Sequence, residues 1–141
     1  MRVVLADTGP IVAFLNGRDR HHRWAVESLA RLRPPLLTCE AVLSEAAYLV
    51  RALPAGGERV MDLVTRGVLR IAFDLEQESV AVGQLLRRYG SVPMDLADAC
   101  LVRLAELHAD SRVLTIDSEF RDVYRRNGRQ VIPTLSPSRR A

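Results

Sequence analysis

Lysine is missing from this chain, and all twenty basic residues are arginine. That absence excludes every mechanism built on an amine side chain. A phosphate-binding loop ending in Gly-Lys-Ser/Thr, a Schiff base, and a receiver domain with its usual lysine are all ruled out. Cysteine is scarce as well. Cys39 and Cys100 have no metal-type spacing and are too few for a disulfide framework, which points to a reduced, cytoplasmic protein. His21 and His22 are adjacent, and neighbours on a helix do not share a face, so they are not expected to form a metal site. The seven aromatic residues fall mostly in apolar stripes and offer no evident single-strand stacking platform. No apolar run approaches the ~20 residues of a membrane span. Asp7 stops the run Val3-Val4-Leu5-Ala6, so neither a signal peptide nor a membrane partner is expected. There is no internal repeat, low-complexity stretch or domain linker.

What is present describes a globular chain. Its 141 residues are 48% apolar and 26% charged, enough for one domain with one good core. Residues 1–135 are expected to form that domain, with 136–141 as a loose tail. Short buried strands are expected at 3–6, 36–39, 68–73 and 112–116, with Val131-Ile132 as a fifth. Helices are expected after Asp7-Thr8-Gly9-Pro10 and over roughly 20–33, 41–53, 58–66, 76–89 and 94–108. Strands alternating with helices predict an α/β fold with a central parallel sheet covered on both faces.

Against this background several acids stand in unusual places. Asp7 and Asp117 each follow an apolar strand directly and are each followed by a hydroxyl residue, Thr8 or Ser118. Ligands of open parallel sheets bind outside the carboxyl ends of the strands, where both carboxylates would emerge. Each could equally cap the next helix. Glu45 lies on or beside an apolar stripe, since every residue of 41–50 except Ser44 and Glu45 is apolar. Asp98 has Leu101 and Val102 on its face, with Asp95 one turn earlier. Asp95 suits the start of a helix by its charge alone. A buried carboxylate without a partner costs several kcal/mol, and Arg103 is not on the face of Asp98. Two carboxylates ~5 Å apart repel by roughly 3 kcal/mol at an effective dielectric of 20. Asp7, Glu45, Asp98 and Asp117, if they converge, must therefore hold protons or a divalent cation. Oxygen-only ligation suits Mg²⁺ or Mn²⁺ and not zinc.

Asp7-Thr8-Gly9-Pro10, Thr38 with Glu45, Leu96-Ala97-Asp98-Ala99 and Leu114-Thr115-Ile116-Asp117-Ser118-Glu119-Phe120 occur in an order that resembles PIN-domain proteins. The chain looks most like the bacterial VapC-type members, over about residues 3 to 124. The resemblance implies a three-layer α/β/α sandwich with a central parallel sheet of about five strands. It also implies a Mg²⁺- or Mn²⁺-dependent endoribonuclease that is the toxin of a VapBC-type toxin–antitoxin pair. A solitary RNA-processing nuclease and a non-catalytic RNA-binding protein of the same fold are the alternatives. Asp7, Glu45, Asp98 and Asp117 match the family's catalytic, metal-binding acids. Thr8 and Thr115 match hydroxyl positions beside the site, and Glu119 matches an accessory acid. Asp95 departs from the commoner small polar residue there, and is either a fifth acid of the site or a cap. RNA, a cognate antitoxin and a second copy of the chain are the implied partners.

RNA requires positive charge around such an acidic site. The net charge is only +3, but the arginines are unevenly placed. Arg121, Arg125, Arg126, Arg129, Arg139 and Arg140 lie close to the C-terminus with Asp122 as their one acidic neighbour. Arg18, Arg20, Arg23, Arg31 and Arg33 flank an early helix. Arg121, Arg125, Arg126 and Arg129 are the candidate phosphate contacts.

Overall fold

The computed structural model describes residues 2–138. Five parallel strands form the central sheet in the order β3-β2-β1-β4-β7. They are β1 (Val3–Ala6), β2 (Leu36–Thr38), β3 (Leu69–Ile71), β4 (Ser111–Leu114) and β7 (Thr134–Leu135). The helices are α1 (Thr8–Leu15), α2 (His22–Arg31), α3 (Glu40–Leu49), α4 (Gly56–Thr65), α5 (Ser79–Arg88), α6 (Leu96–Leu107) and the one-turn α7 (Glu119–Asp122). This is the α/β architecture the alternating pattern predicted, with helices flanking the sheet. Several helices are shorter than expected, α3 ending at Leu49 and α5 starting only at Ser79.

The central strand is apolar on both faces because both are covered. Leu5 and Ala6 are buried, Leu5 pairing with Leu37 on one side and Val113 on the other. Parallel strands packed on both faces read as continuous hydrophobic runs, as Val3-Val4-Leu5-Ala6 does. Helix α6 is apolar nearly all round for the same reason. Ala97, Ala99, Cys100, Leu101, Val102, Leu104 and Ala105 are all buried, and α6 packs against β1, β4, α3 and α5. A helix with so many buried positions belongs to the core and not to its surface.

The strand order decides where a site can form. From β1 the chain crosses to β2 and β3 on one side, then returns to β4 and β7 on the other. β1 and β4 are therefore neighbours whose connections leave in opposite directions. That switch point opens a crevice beyond their carboxyl ends, where open α/β sheets bind ligands. Asp7 immediately follows β1, and Asp117 lies three residues past β4.

One expectation near the C-terminus needs correction. Val131-Ile132 is not the fifth strand of the sheet. Gln130–Val131 (β6) instead pairs antiparallel with Arg125–Arg126 (β5), and the sheet gains Thr134–Leu135 in its place. The cause is a tight turn at Asn127-Gly128. Both residues have positive φ, 53° and 71°, and the Arg129 N–H donates to the Arg126 carbonyl at 3.1 Å. Asn-Gly is the pair best suited to such a turn, because it adopts left-handed backbone at least cost. Ile132 is still fully buried, so its apolar character was spent on the core rather than on a ladder.

Gly56 is required where it stands. A Cβ there would lie 2.0 Å from the carbonyl oxygen of Val50, a distance no packed structure tolerates. Its place at the buried start of α4 closes the turn that follows α3.

Candidate active site

Asp7 is the residue around which the cleft is organised. It caps α1, with Thr8 N–H donating to its Oδ1 at 2.8 Å. The Thr115 hydroxyl donates to its other oxygen, Oδ2, at 2.7 Å. Thr115 in turn accepts from the Asp117 N–H at 2.9 Å. One buried hydroxyl thus fixes the acid after β1 and the backbone of the acid after β4 together. Asp117 Oδ1 accepts from the Glu119 N–H at 2.9 Å, which turns the chain into α7.

The helices deliver the remaining carboxylates. Thr8 donates its hydroxyl to Glu45 Oε1 at 2.6 Å, joining α1 to α3. Asp95 and Asp98 form a reciprocal capping box at the start of α6: Asp98 N–H donates to Asp95 Oδ1 at 2.8 Å, and Asp95 N–H to Asp98 Oδ2 at 3.4 Å. Asp95 therefore has the capping role that its position allowed. Both α1 and α6 start at the cleft, so the positive ends of two helix dipoles face the acids.

Tyr124 is the member that sequence reasoning missed. It is fully buried, and its hydroxyl lies 3.1 Å from both Asp98 Oδ2 and Glu119 Oε2. Its ring is packed edge-on between Tyr89 and Phe120, with centroids 5.2 and 5.1 Å away. Burial and the two carboxylates raise its phenol well above the ordinary value. It is a fixed hydrogen-bond donor that joins α6 to α7. No local signal separates it from a core aromatic, because its partners are 26 and five residues away.

Asp7, Glu45, Asp95, Asp98, Asp117 and Glu119 all line one cleft of about 450 Å³, with no arginine in its wall. The electrostatic consequence is large. Burial, and then the charges of Asp117 and Glu45, push Asp7 from 3.8 up to about 6 despite the Thr115 and Thr8 hydrogen bonds. Burial, and then Asp95 and Asp7, push Asp98 up to about 7 against the opposing effect of Tyr124. Arg103, the nearest cation on α6, is held by Glu78 at 2.6 Å and Glu106 at 3.2 Å and neutralises neither. The donor set suits a hard divalent cation: oxygen only, strongly negative, and short of compensating charge. Among the described residues no three acids, histidines or cysteines are grouped closely enough to hold an ion. His21 and His22 take other parts, His22 Nδ1 sitting 2.7 Å from the Ala13 carbonyl.

The arginines divide. Arg121 stands at the surface beside Asp122, 2.9 Å away, and borders a cavity next to Asp117. Arg129 is exposed. Arg125 folds its guanidinium back onto the carbonyls of Arg121, Asp122 and Tyr124. Arg126 corrects the expectation of a phosphate contact. It is buried, donating to the Ala105 carbonyl at 2.9 Å and to the carbonyl and hydroxyl of Ser111 at 3.0 and 2.8 Å. Its burial and these bonds make it a clamp between the hairpin, α6 and β4. Arg139 and Arg140 lie outside the described residues.

An open parallel sheet with carboxylates gathered at its switch point defines an α/β protein with an acidic, ion-attracting cleft. The chain belongs to the PIN domain family, whose profile matches residues 4–126. Its fold is similar to that of Mycobacterium tuberculosis VapC20, described as a sarcin-ricin loop cleaving toxin. The TM-score is 0.69 at 18% identity, over 82% of this chain and 91% of that one. No curated protein matches the sequence.

Proposed function

We propose that this protein is a Mg²⁺- or Mn²⁺-dependent endoribonuclease and the toxin of a VapBC-type toxin–antitoxin pair. The observation that carries the nuclease reading is the arginine-free cleft of six carboxylates at the β1/β4 switch point. Such a cluster is unfavourable on its own and becomes favourable around a divalent cation. Membership of the PIN family and likeness of fold to a sarcin-ricin loop cleaving toxin support the choice of substrate.

Asp7, Glu45, Asp98 and Asp117 would hold the cation. When bound, it supplies a water of lowered pKa and neutralises charge building on the scissile phosphodiester. The chain's own residues do the positioning. Thr115 and Thr8 orient the oxygens of Asp7 and Glu45, and Tyr124 restrains Asp98 and Glu119 from behind. Asp95 holds the first turn of α6 in place, and Arg121 and Arg129 meet flanking phosphates. A small antitoxin and a second copy of the chain complete the reading as partners, and the compartment is the cytoplasm.

Incubating the protein with RNA in Mg²⁺, Mn²⁺ or EDTA, beside Asp7→Asn, tests the proposal. Cleavage that needs the metal and is lost in the variant is the expected result. Metal-independent cleavage, or full activity in Asp7→Asn, would overturn it.

A further inference from the structure

Three cavities adjoin along one flank of the molecule. The acidic cleft shares Ile116 and Asp117 with a second cavity of about 250 Å³, bordered by Arg20, His21, Ser118 and Arg121. The second shares Ser136 with a third of about 390 Å³, which lies between α2 and the strands β4 and β7. Trp24, Ser28 and Arg31 line the third from α2, and Arg112 lines it from β4. Charge changes along the series, from carboxylates at one end to guanidinium groups at the other.

Arg112, which lines the third cavity, carries a donor that the fold leaves unsatisfied. Arg112 Nε is buried and has no hydrogen-bond partner among the described residues. No ion pair among the described residues neutralises the Arg112 guanidinium, and an anion in the cavity it lines would supply the missing charge. Arg31, exposed at the same cavity, adds a second cation. Trp24 is half-buried and adds a flat apolar surface. Two guanidinium groups, an indole plane and a serine hydroxyl match the parts of a nucleotide: phosphate on the arginines, base on the indole.

We propose that the three cavities form one track for single-stranded RNA. Trp24, Arg31 and Arg112 bind a nucleotide flanking the scissile phosphate, and Arg20 and Arg121 contact the backbone between. The inference rests on the ribonuclease reading and extends it. Arg112 and Asp117 are five residues apart along and beyond β4, so at 3.3 Å per residue their backbones are separated by at most about 17 Å. A few nucleotides bridge that span. The track also explains why an aromatic platform is not legible as a run in the sequence, since a single indole serves.

Trp24 is the only tryptophan in the chain, so its fluorescence reports on this cavity alone. The test titrates the intact protein in EDTA with a uridine dodecamer, following Trp24 emission and the anisotropy of a labelled dodecamer in parallel. Emission is expected to be quenched with the same midpoint as the anisotropy change. Arg31→Gln and Arg112→Gln should each weaken binding at least fivefold and reduce the salt slope by about 0.7, the value for one phosphate contact on a single strand. Arg31 is exposed, so its variant keeps the test valid even where Arg112→Gln fails to fold. Binding without quenching, no binding, or unchanged affinity in Arg31→Gln and in a folded Arg112→Gln overturns the track. Quenching by oligoglutamate and not by the dodecamer overturns it in favour of an acidic-peptide pocket. Metal-dependent cleavage without quenching removes the track and leaves the nuclease reading intact. Quenching without any cleavage does the reverse.

Discussion

Thr115 donates its hydroxyl to Asp7 across 108 positions of sequence, at 2.7 Å and with both residues buried. The same oxygen accepts from the backbone of Asp117. Thr115→Val keeps the shape of the side chain and removes both bonds. It should slow cleavage about 10- to 100-fold, the usual effect of losing a group that orients a metal ligand. Thr115→Ser should restore most of the rate. Single-turnover cleavage of the three proteins, with thermal melts as a check on folding, decides the matter. Equal rates in the wild type and the valine variant would refute the orienting role.

The raised values of Asp7 and Asp98 make stability depend on pH in an unusual direction. Both groups hold their protons more tightly in the folded chain than in the unfolded one, where the value is near 3.8. The stabilisation from those protons is present at low pH and is lost as pH rises through about 6 and then about 7. The metal-free protein should therefore melt at a higher temperature near pH 5 than near pH 8. Adding Mg²⁺ at pH 8 should recover the difference. Scanning calorimetry in EDTA tests this, and a melting temperature that climbs from pH 5 to 8 would contradict it.

Asp98→Asn should separate stability from activity. Its amide oxygen can still accept from Tyr124 and from the Asp95 N–H, while the charge beside Asp95 and Asp7 disappears. Cleavage is expected to fall to background, whereas metal-free stability at pH 8 should rise by about 1–2 kcal/mol. That figure is discounted because Asp98 faces the solvent of the cleft. Denaturant unfolding of both proteins in EDTA is the measurement. A variant less stable than wild type would mean that repulsion in the cleft is not the dominant effect.

Arg126 and Arg121 should fail differently. Arg126→Met strands the Ala105 and Ser111 carbonyls in the interior and should cost about 2–4 kcal/mol of stability. Arg121→Gln should leave stability near wild type and weaken RNA binding with a shallower salt dependence. Melts combined with anisotropy at several salt concentrations distinguish them. The assignment is lost if Arg126→Met melts like wild type and binds RNA less tightly.

The acids after the strands were legible because an apolar run ends on each of them, which a surface carboxylate seldom does. Glu45 and Asp98 were legible because their helical neighbours are apolar. Other features left no local trace. Arg126 reads like Arg125, and only its placement beneath α6 shows that its donors are committed inside the protein. Tyr124 reads like any core aromatic, since the carboxylates it meets come from two other elements. The hairpin did carry a signal in Asn127-Gly128, which the apolar pair Val131-Ile132 overrode. Ile132 is buried without being in the sheet, so hydrophobicity alone pointed to the wrong ladder.

The central position of β1 sets the timing of assembly. β1 has β4 as one of its two neighbours, and its ladder stays half-formed until Leu114 is available. Asp7 waits equally long for the Thr115 hydroxyl. A copy ending before Thr115 therefore carries Asp7, Glu45 and Asp98 but lacks the hydroxyl that fixes Asp7.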